Sequence, residues 1–220
     1  MKRPDIKICG ISRTETLDHV IRRGASHVGF IFFEKSPRHV EPDVAADLIA
    51  HVRGRAKTVA VTVNADNDLL EEIVYAARPD MLQLHGHESA ERVVTVKALF
   101  GLPVIKALSV RSEADLAMIE EYRGVADRML LDAKPPAGAD LPGGNGVTFD
   151  WRLLEAMDPT IPYFLSGGLN SENVAEALAV TGAPGLDMSS GVESAPGIKD
   201  PARIDAFFDA VEAALSLKTA

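Results

Sequence analysis

The chain contains one cysteine, and Cys9 closes a short apolar run, DIKIC, immediately before Gly10. A second reactive side chain, Asp132, closes another such run, DRMLLD. A thiol and a carboxyl can serve as general base and general acid, provided both are poised near the working pH. Neither is poised on its own. A free aspartic acid, with a pKa of about 3.9, is protonated in only about one molecule in a thousand at pH 7. A free cysteine, at about 8.5, is only a few per cent thiolate. A site that uses both must displace both equilibria, and an anionic ligand beside the thiol would push it the wrong way. Lys7, two residues before Cys9 and on the same face of an extended strand, is the candidate cation to oppose that push.

Other polar residues close apolar runs in the same manner. Arg38 follows one in EKSPR. Gln83 and His85 in LQLH share a strand face, as do Asp187 and Ser189 in LDMSS. Ser166-Gly167-Gly168 and Ser189-Ser190-Gly191 close two more. Each has a plain structural role when taken alone. A lone cysteine packs as a small hydrophobe, an aspartate forms turns, and His85-Gly86-His87 reads as a loop. Arg38 reads as a surface residue and the glycines as turn punctuation. Their joint position at strand ends sets them apart.

The net charge is −9, and no basic block interrupts the sequence. A nucleic-acid surface would show a clustered Lys/Arg footprint, so none is expected. Any anion site must then be local, built from backbone N–H groups and a few placed cations. LSGGLNSENV (165–174) reads as a strand, a Gly-Gly turn and an amphipathic helix, and GLDMSSGVE (185–193) as a strand with a Ser-Ser-Gly exit. Glycines allow close backbone approach and a helix N-terminus adds a positive dipole.

These residues need a scaffold that gathers strand ends. Near-continuous apolar runs recur at 6–9, 27–33, 57–63, 80–85, 102–108, 127–132, 161–166 and 185–190, as expected of parallel strands covered on both faces. Helical patterns lie between them at 14–23, 42–52, 66–77, 89–100, 113–122, 170–180 and 201–217, with a shorter one at 149–157. Eight strands alternating with eight helices fit either a closed (β/α)8 barrel or an open doubly wound sheet. Even spacing, no second composition zone and no G-x-G-x-x-G after the first strand favour an α/β single-domain (β/α)8 TIM barrel over residues 1–220. In that fold the C-terminal strand ends form the active face, and a phosphate often binds after strands 7 and 8. The loop at 133–146 is long enough to be functional.

The blocks KICGIS, FFEKSPR, LQLHG, VIKAL, LLDAKPPAGADLPGGNGVTFDW, FLSGGLNSENV and GLDMSSGVESAPGIKD run in order from residue 6 to 200. Together they resemble the phosphoribosylanthranilate isomerases of tryptophan biosynthesis. The resemblance implies an Amadori rearrangement of N-(5-phosphoribosyl)anthranilate, with Cys9 as general base and Asp132 as general acid. It implies substrate contacts for Arg38 and Asp187, and Lys7, Gln83 and His85 are counted with them. Gly146, Gly167, Gly168, Ser189 and Ser190 form the expected phosphate seat. Two proton transfers at one sugar suffice, so no cofactor and no metal is implied.

Two other readings use parts of the same pattern. A metal-dependent pentose-phosphate 3-epimerase could use His85, but the second strand ends in Phe32-Phe33-Glu34 and lacks a His-x-Asp pair. A non-catalytic phosphometabolite-binding barrel would keep the glycine and serine elements without needing Cys9 and Asp132 together. One cysteine rules out a disulfide within the chain and suits a reducing compartment. The first residues lack the apolar stretch of a signal sequence, and no run approaches a membrane span. The expectation is a cytoplasmic enzyme, monomer or homodimer, with a small phosphosugar substrate and neither nucleic-acid nor membrane partners.

Overall fold

The computed structural model describes residues 3–134, 138, 141–144 and 146–217. Eight parallel strands close into a barrel in chain order. They are β1 (Asp5–Cys9), β2 (His27–Phe32), β3 (Lys57–Thr62), β4 (Met81–Leu84), β5 (Val104–Val110), β6 (Arg128–Ala133), β7 (Tyr163–Leu165) and β8 (Gly185–Met188). The ring shuts where β8 pairs with β1, in a register that sets Lys7 opposite Asp187.

Alternation along each strand sorts side chains into two layers. Ile6 and Ile8 of β1 face the helix layer, whereas Cys9 faces the barrel interior with Val59, Val61, Ile105, Ala107, Leu130 and Phe164. Such filled layers make the barrel a packed core rather than a pore.

The outer ring contains α1 (Thr14–Arg23), α2 (Pro42–Val52), α3 (Asn67–Ala77), α4 (Ala90–Phe100), α5 (Glu113–Tyr122), α6 (Val174–Thr181) and α7 (Pro201–Leu217). Pro42 occupies the first turn of α2, where its missing N–H costs nothing. Asp66 and Ser89, read as helical from the pattern, instead cap α3 and α4, accepting from the N–H of Leu69 and of Arg92.

Two helices differ from expectation, for local reasons. The unit between β6 and β7 is a 3-10 helix (Trp151–Ala156), not an α-helix. Its buried residues, Trp151 and Leu154, are three apart and fall on one face of a three-residue turn. The helix after Gly167-Gly168 starts at Val174 rather than Asn170. Asn170 Oδ1 accepts from the N–H of Glu172 and of Asn173, and Asn173 Oδ1 accepts from the N–H of Asn170. These bonds hold 170–173 outside the helix, so the helix N-terminus expected directly behind the Gly-Gly turn is displaced along the chain.

One element was not anticipated. After β8 the chain makes a short 3-10 turn (Ser190–Val192) and then an antiparallel hairpin of β9 (Glu193–Ala195) and β10 (Ile198–Lys199). No helix among the described residues is long and apolar enough to cross a membrane.

Candidate active site

Parallel strands in a closed ring deliver all their C-terminal ends to one mouth. There a cleft opens, with Cys9 of β1 and Asp132 of β6 both on its wall. Arg38, His85 and Asp187 line it as well, as do Gly146, Gly167, Gly168, Ser189 and Ser190. Lys7 and Gln83 lie beneath the cleft instead of on its wall, both fully buried. Each stands two residues before a cleft residue, one layer deeper in the barrel, and so supports the residue above it.

On the first wall, Lys7 Nζ donates to Asp187 Oδ1 at 2.7 Å, across the seam that closes the barrel. Burial works to lower the Lys7 ammonium, but Asp187, and then Cys9, outweigh it and raise it above its ordinary value. The Cys9 thiol is pushed up, by burial first and by Asp187. Lys7 opposes that most strongly and Lys199 adds to it. The cation placed beside Cys9 by strand spacing is present, and it offsets part of the cost of burying a thiolate. Gly29 of β2 supplies the room, because a Cβ there would lie 2.9 Å from Cys9 Sγ and 3.3 Å from Lys7 Cε.

Gly10 follows the thiol in the left-handed region, at φ 79°. A Cβ on it would meet Arg38 Cδ at 2.7 Å. The glycine thus lets the arginine side chain cross directly over the end of β1. Arg38 is buried, not a surface residue. Its Nε and Nη2 donate to Glu193 Oε1 and Oε2, each at 2.8 Å. Lys199 Nζ donates to Glu193 Oε1 at 2.7 Å and to the Ser189 carbonyl at 3.0 Å. Burial pushes the Glu193 carboxyl up, but Arg38 and Lys199 together hold it below its ordinary value.

On the opposite wall, Asp132 Oδ1 accepts from the N–H of Ala133 at 2.9 Å, and Oδ2 stands 3.5 Å from His85 Nε2. Gln83 Nε2 lies 2.8 Å from His85 Nδ1. With the amide N–H donating to Nδ1, Nε2 is the ring nitrogen that faces Asp132. Glycines again permit the close approach. A Cβ on Gly143 would lie 2.8 Å from His85 Nε2 and 2.9 Å from Asp132 Oδ2, and one on Gly144 would lie 2.9 Å from Arg38 Nη1. The 141–144 segment therefore spans the cleft from the arginine to the carboxyl.

The segments after β7 and β8 complete the mouth. Gly167 and Gly168 both have positive φ, 85° and 59°. A Cβ on Gly167 would strike the Ala133 nitrogen at 2.6 Å, and one on Gly168 the Val147 carbonyl oxygen at 2.7 Å. Among the described residues, no three His, Cys, Asp or Glu side chains are grouped to hold a metal ion.

Sequence reasoning missed Gly29, Glu193 and Lys199. The last two stand in the GVESAPGIKD block, but a one-dimensional pattern carries no sign that a two-stranded hairpin folds them back under the cleft.

Comparison with known proteins adds independent information. The family profile for PRAI, N-(5'phosphoribosyl)anthranilate (PRA) isomerase, matches residues 6–210. An N-(5'-phosphoribosyl)anthranilate isomerase of Agrobacterium fabrum is 68% identical over 209 residues, covering 95% of each chain. The crystal structure of phosphoribosyl anthranilate isomerase from Thermotoga maritima superposes with a TM-score of 0.86 at 34% identity, covering 96% of this chain and 99% of that one. A further phosphoribosyl anthranilate isomerase structure, 32% identical with a TM-score of 0.83 and the same coverage, holds reduced 1-(o-carboxyphenylamino)-1-deoxyribulose 5-phosphate.

Proposed function

This chain belongs to the N-(5'-phosphoribosyl)anthranilate isomerase family, and we propose that Cys9 and Asp132 perform the family's reaction as a base and acid pair across one cleft. The enzyme converts N-(5-phosphoribosyl)anthranilate to 1-(2-carboxyphenylamino)-1-deoxyribulose 5-phosphate, the isomerase step of tryptophan biosynthesis. The observation that carries the assignment of roles is that the sole thiol and a buried carboxyl line the same cleft.

The chemistry follows from those two groups. Asp132 gives a proton to the furanose oxygen. The C1′–O bond breaks, its electron pair stays on oxygen, and the nitrogen lone pair forms a C1′=N iminium. That positive charge acidifies the C2′ hydrogen. The Cys9 thiolate removes it, and the electron pair forms the C1′=C2′ bond as the iminium is neutralised. The resulting enolamine tautomerises to the ketone, and no atom is gained or lost. Raising of the thiol by burial also makes it a stronger base once ionised, which suits a carbon acid.

Arg38 is assigned the anthranilate carboxylate, a role supported by its fixed bidentate bond to Glu193 at the cleft. Backbone N–H groups around Gly146, Gly167, Gly168, Ser189 and Ser190 suit the phosphate, because their segments run past the strand ladders into the cleft. His85 orients Asp132, and Gln83 orients His85. We read residues 1–220 as one barrel domain, acting in the cytoplasm as a monomer or homodimer.

The test is a fluorescence assay with freshly made phosphoribosylanthranilate. Cys9→Ser and Asp132→Asn are each expected to lower kcat by about 10²–10⁴, the range for positioned acid and base groups, with KM little changed. Near-normal kcat in either variant removes that residue from the mechanism.

A further inference from the structure

On and beneath the thiol side of the cleft lies a group of five charged side chains, each at most 5% exposed. Lys7 pairs with Asp187, while Arg38 and Lys199 share Glu193. Three cations thus face two carboxylates. Burying an uncompensated charge is costly, so a cluster with one positive charge in excess calls for an anion nearby. Lys199 is the unbalanced member. Arg38 already occupies both oxygens of Glu193 in a bidentate fork, and the ammonium of Lys199 is left to share one of them. Its remaining contacts are the carbonyl and hydroxyl of Ser189, at 3.0 and 3.3 Å. Ser189 Oγ in turn donates to the Cys9 carbonyl at 3.2 Å.

We propose that the missing anion of this cluster is the Cys9 thiolate, and that Lys199 is a positioning residue whose charge, with that of Lys7, makes the ionised base available to the substrate. The inference rests on Cys9 acting as the base. Among the charged groups facing the sulfur, its own strand supplies Lys7, β8 supplies Asp187 and the hairpin supplies Lys199. Glu193 lies behind Lys199, and Arg38, from the segment after β2, crosses the end of β1 beside the sulfur while paired with Glu193. On the β2 side Gly29 faces the sulfur and carries no charge, and His27, beside Lys7, is held neutral at pH 7 by burial, its pKa lowered to about 4. Asp132 and His85 stand on the opposite wall. Lys199 is also one of the two cations that oppose the raising of the thiol. Lys199 itself touches no reacting atom; its contacts are Glu193 and Ser189.

Cys9 is the only cysteine, so iodoacetamide alkylation of the intact, substrate-free protein reports on this thiol alone. The pH at half-maximal alkylation rate would be measured for the unaltered chain and for Lys199→Met, Lys199→Arg and Glu193→Gln. An opposite charge close to a titrating group moves it by about 1–3 units. Lys199→Met is therefore expected to raise the midpoint by about one unit, with about a tenfold fall in alkylation rate at pH 7.5. Lys199→Arg should return it close to the original. Glu193→Gln removes a buried negative charge and should move the midpoint down, a direction that loosened packing alone would not produce. An unchanged midpoint in folded Lys199→Met, no return with Lys199→Arg, or an upward or absent shift in Glu193→Gln would overturn the proposal. If Lys199→Met does not fold, Glu193→Gln decides. The titration needs no substrate, so its failure leaves the kinetic test of Cys9→Ser standing, and the reverse also holds.

Discussion

Arg38 and Glu193, 155 positions apart, are joined by two parallel hydrogen bonds of 2.8 Å inside the protein. The fork uses Nε and Nη2 and leaves the Nη1 edge against Gly144 at the cleft. On the proposed role of Arg38, this fork pre-orients it to receive the substrate's carboxylate. Arg38→Met is expected to raise KM by about 10–100-fold, the equivalent of one charge-assisted hydrogen bond, with a smaller effect on kcat. Lys199 remains as a partner for Glu193, so the variant should fold. Steady-state kinetics with unchanged KM would remove Arg38 from substrate recognition.

Gly29 has ordinary backbone geometry, so alanine would be conformationally acceptable there. The obstacle is steric, with Cys9 Sγ at 2.9 Å and the Cys9 Cα at 3.2 Å from the added methyl. Gly29→Ala is expected to lower kcat by about 10–100-fold, since a displacement of about 1 Å at a reacting group has that effect. Thermal unfolding beside the kinetics separates this from collapse of the fold. A drop in melting temperature with intact kcat would show that the sulfur tolerates the shift.

Lys106 is buried under the loop after β4. Its Nζ donates to the carbonyls of Leu84 and Gly86 and to Glu88 Oε2, at 3.2, 2.7 and 2.8 Å. Burial pushes the Glu88 carboxyl up, but Lys106 and backbone donors hold it below its ordinary value. Lys106→Met would leave that carboxylate without its counter-charge. A loss of about 3–5 kcal/mol in stability is expected from urea denaturation. A loss under about 1 kcal/mol would mean that the backbone donors of Asn64 and Gly86 satisfy Glu88 unaided.

His27 closes the lower end of the barrel edge-on to Phe164, and burial lowers its pKa from 6.5 to about 4. The unfolded chain therefore binds a proton that the folded chain refuses. Stability from this group is complete above pH 6.5 and is lost as pH falls towards about 4. The slope within that window approaches about 1.4 kcal/mol per pH unit. Urea melts at pH 7 and pH 5 should show a smaller difference for His27→Gln than for the unaltered chain. An equal difference would place the acid sensitivity elsewhere.

Much of the site is legible in the sequence. All eight strands lie within one or two residues of the apolar runs at 6–9 through 185–190, because strands buried on both faces must be continuously apolar. Parallel strands all end at the same mouth, so Cys9, His85, Asp132 and Asp187, at or within one residue of strand ends, group together without any distance being known. The two helices misjudged, at 149–157 and 170–180, failed where side-chain hydrogen bonds or three-residue spacing overrode a helical pattern.

What the sequence alone determined is the alternation of elements and the identity of the groups at the strand ends, because both arise from periodicity along the chain. Only the tertiary structure decided which charges compensate one another. Lys7 meets Asp187 because a ring of eight strands must close on its first member. Glu193 reaches Arg38 and Lys199 because a hairpin turns back beneath the cleft. Electrostatic pairing depends on distance through space, and residues 155 and 180 positions apart acquire that distance only when the barrel shuts.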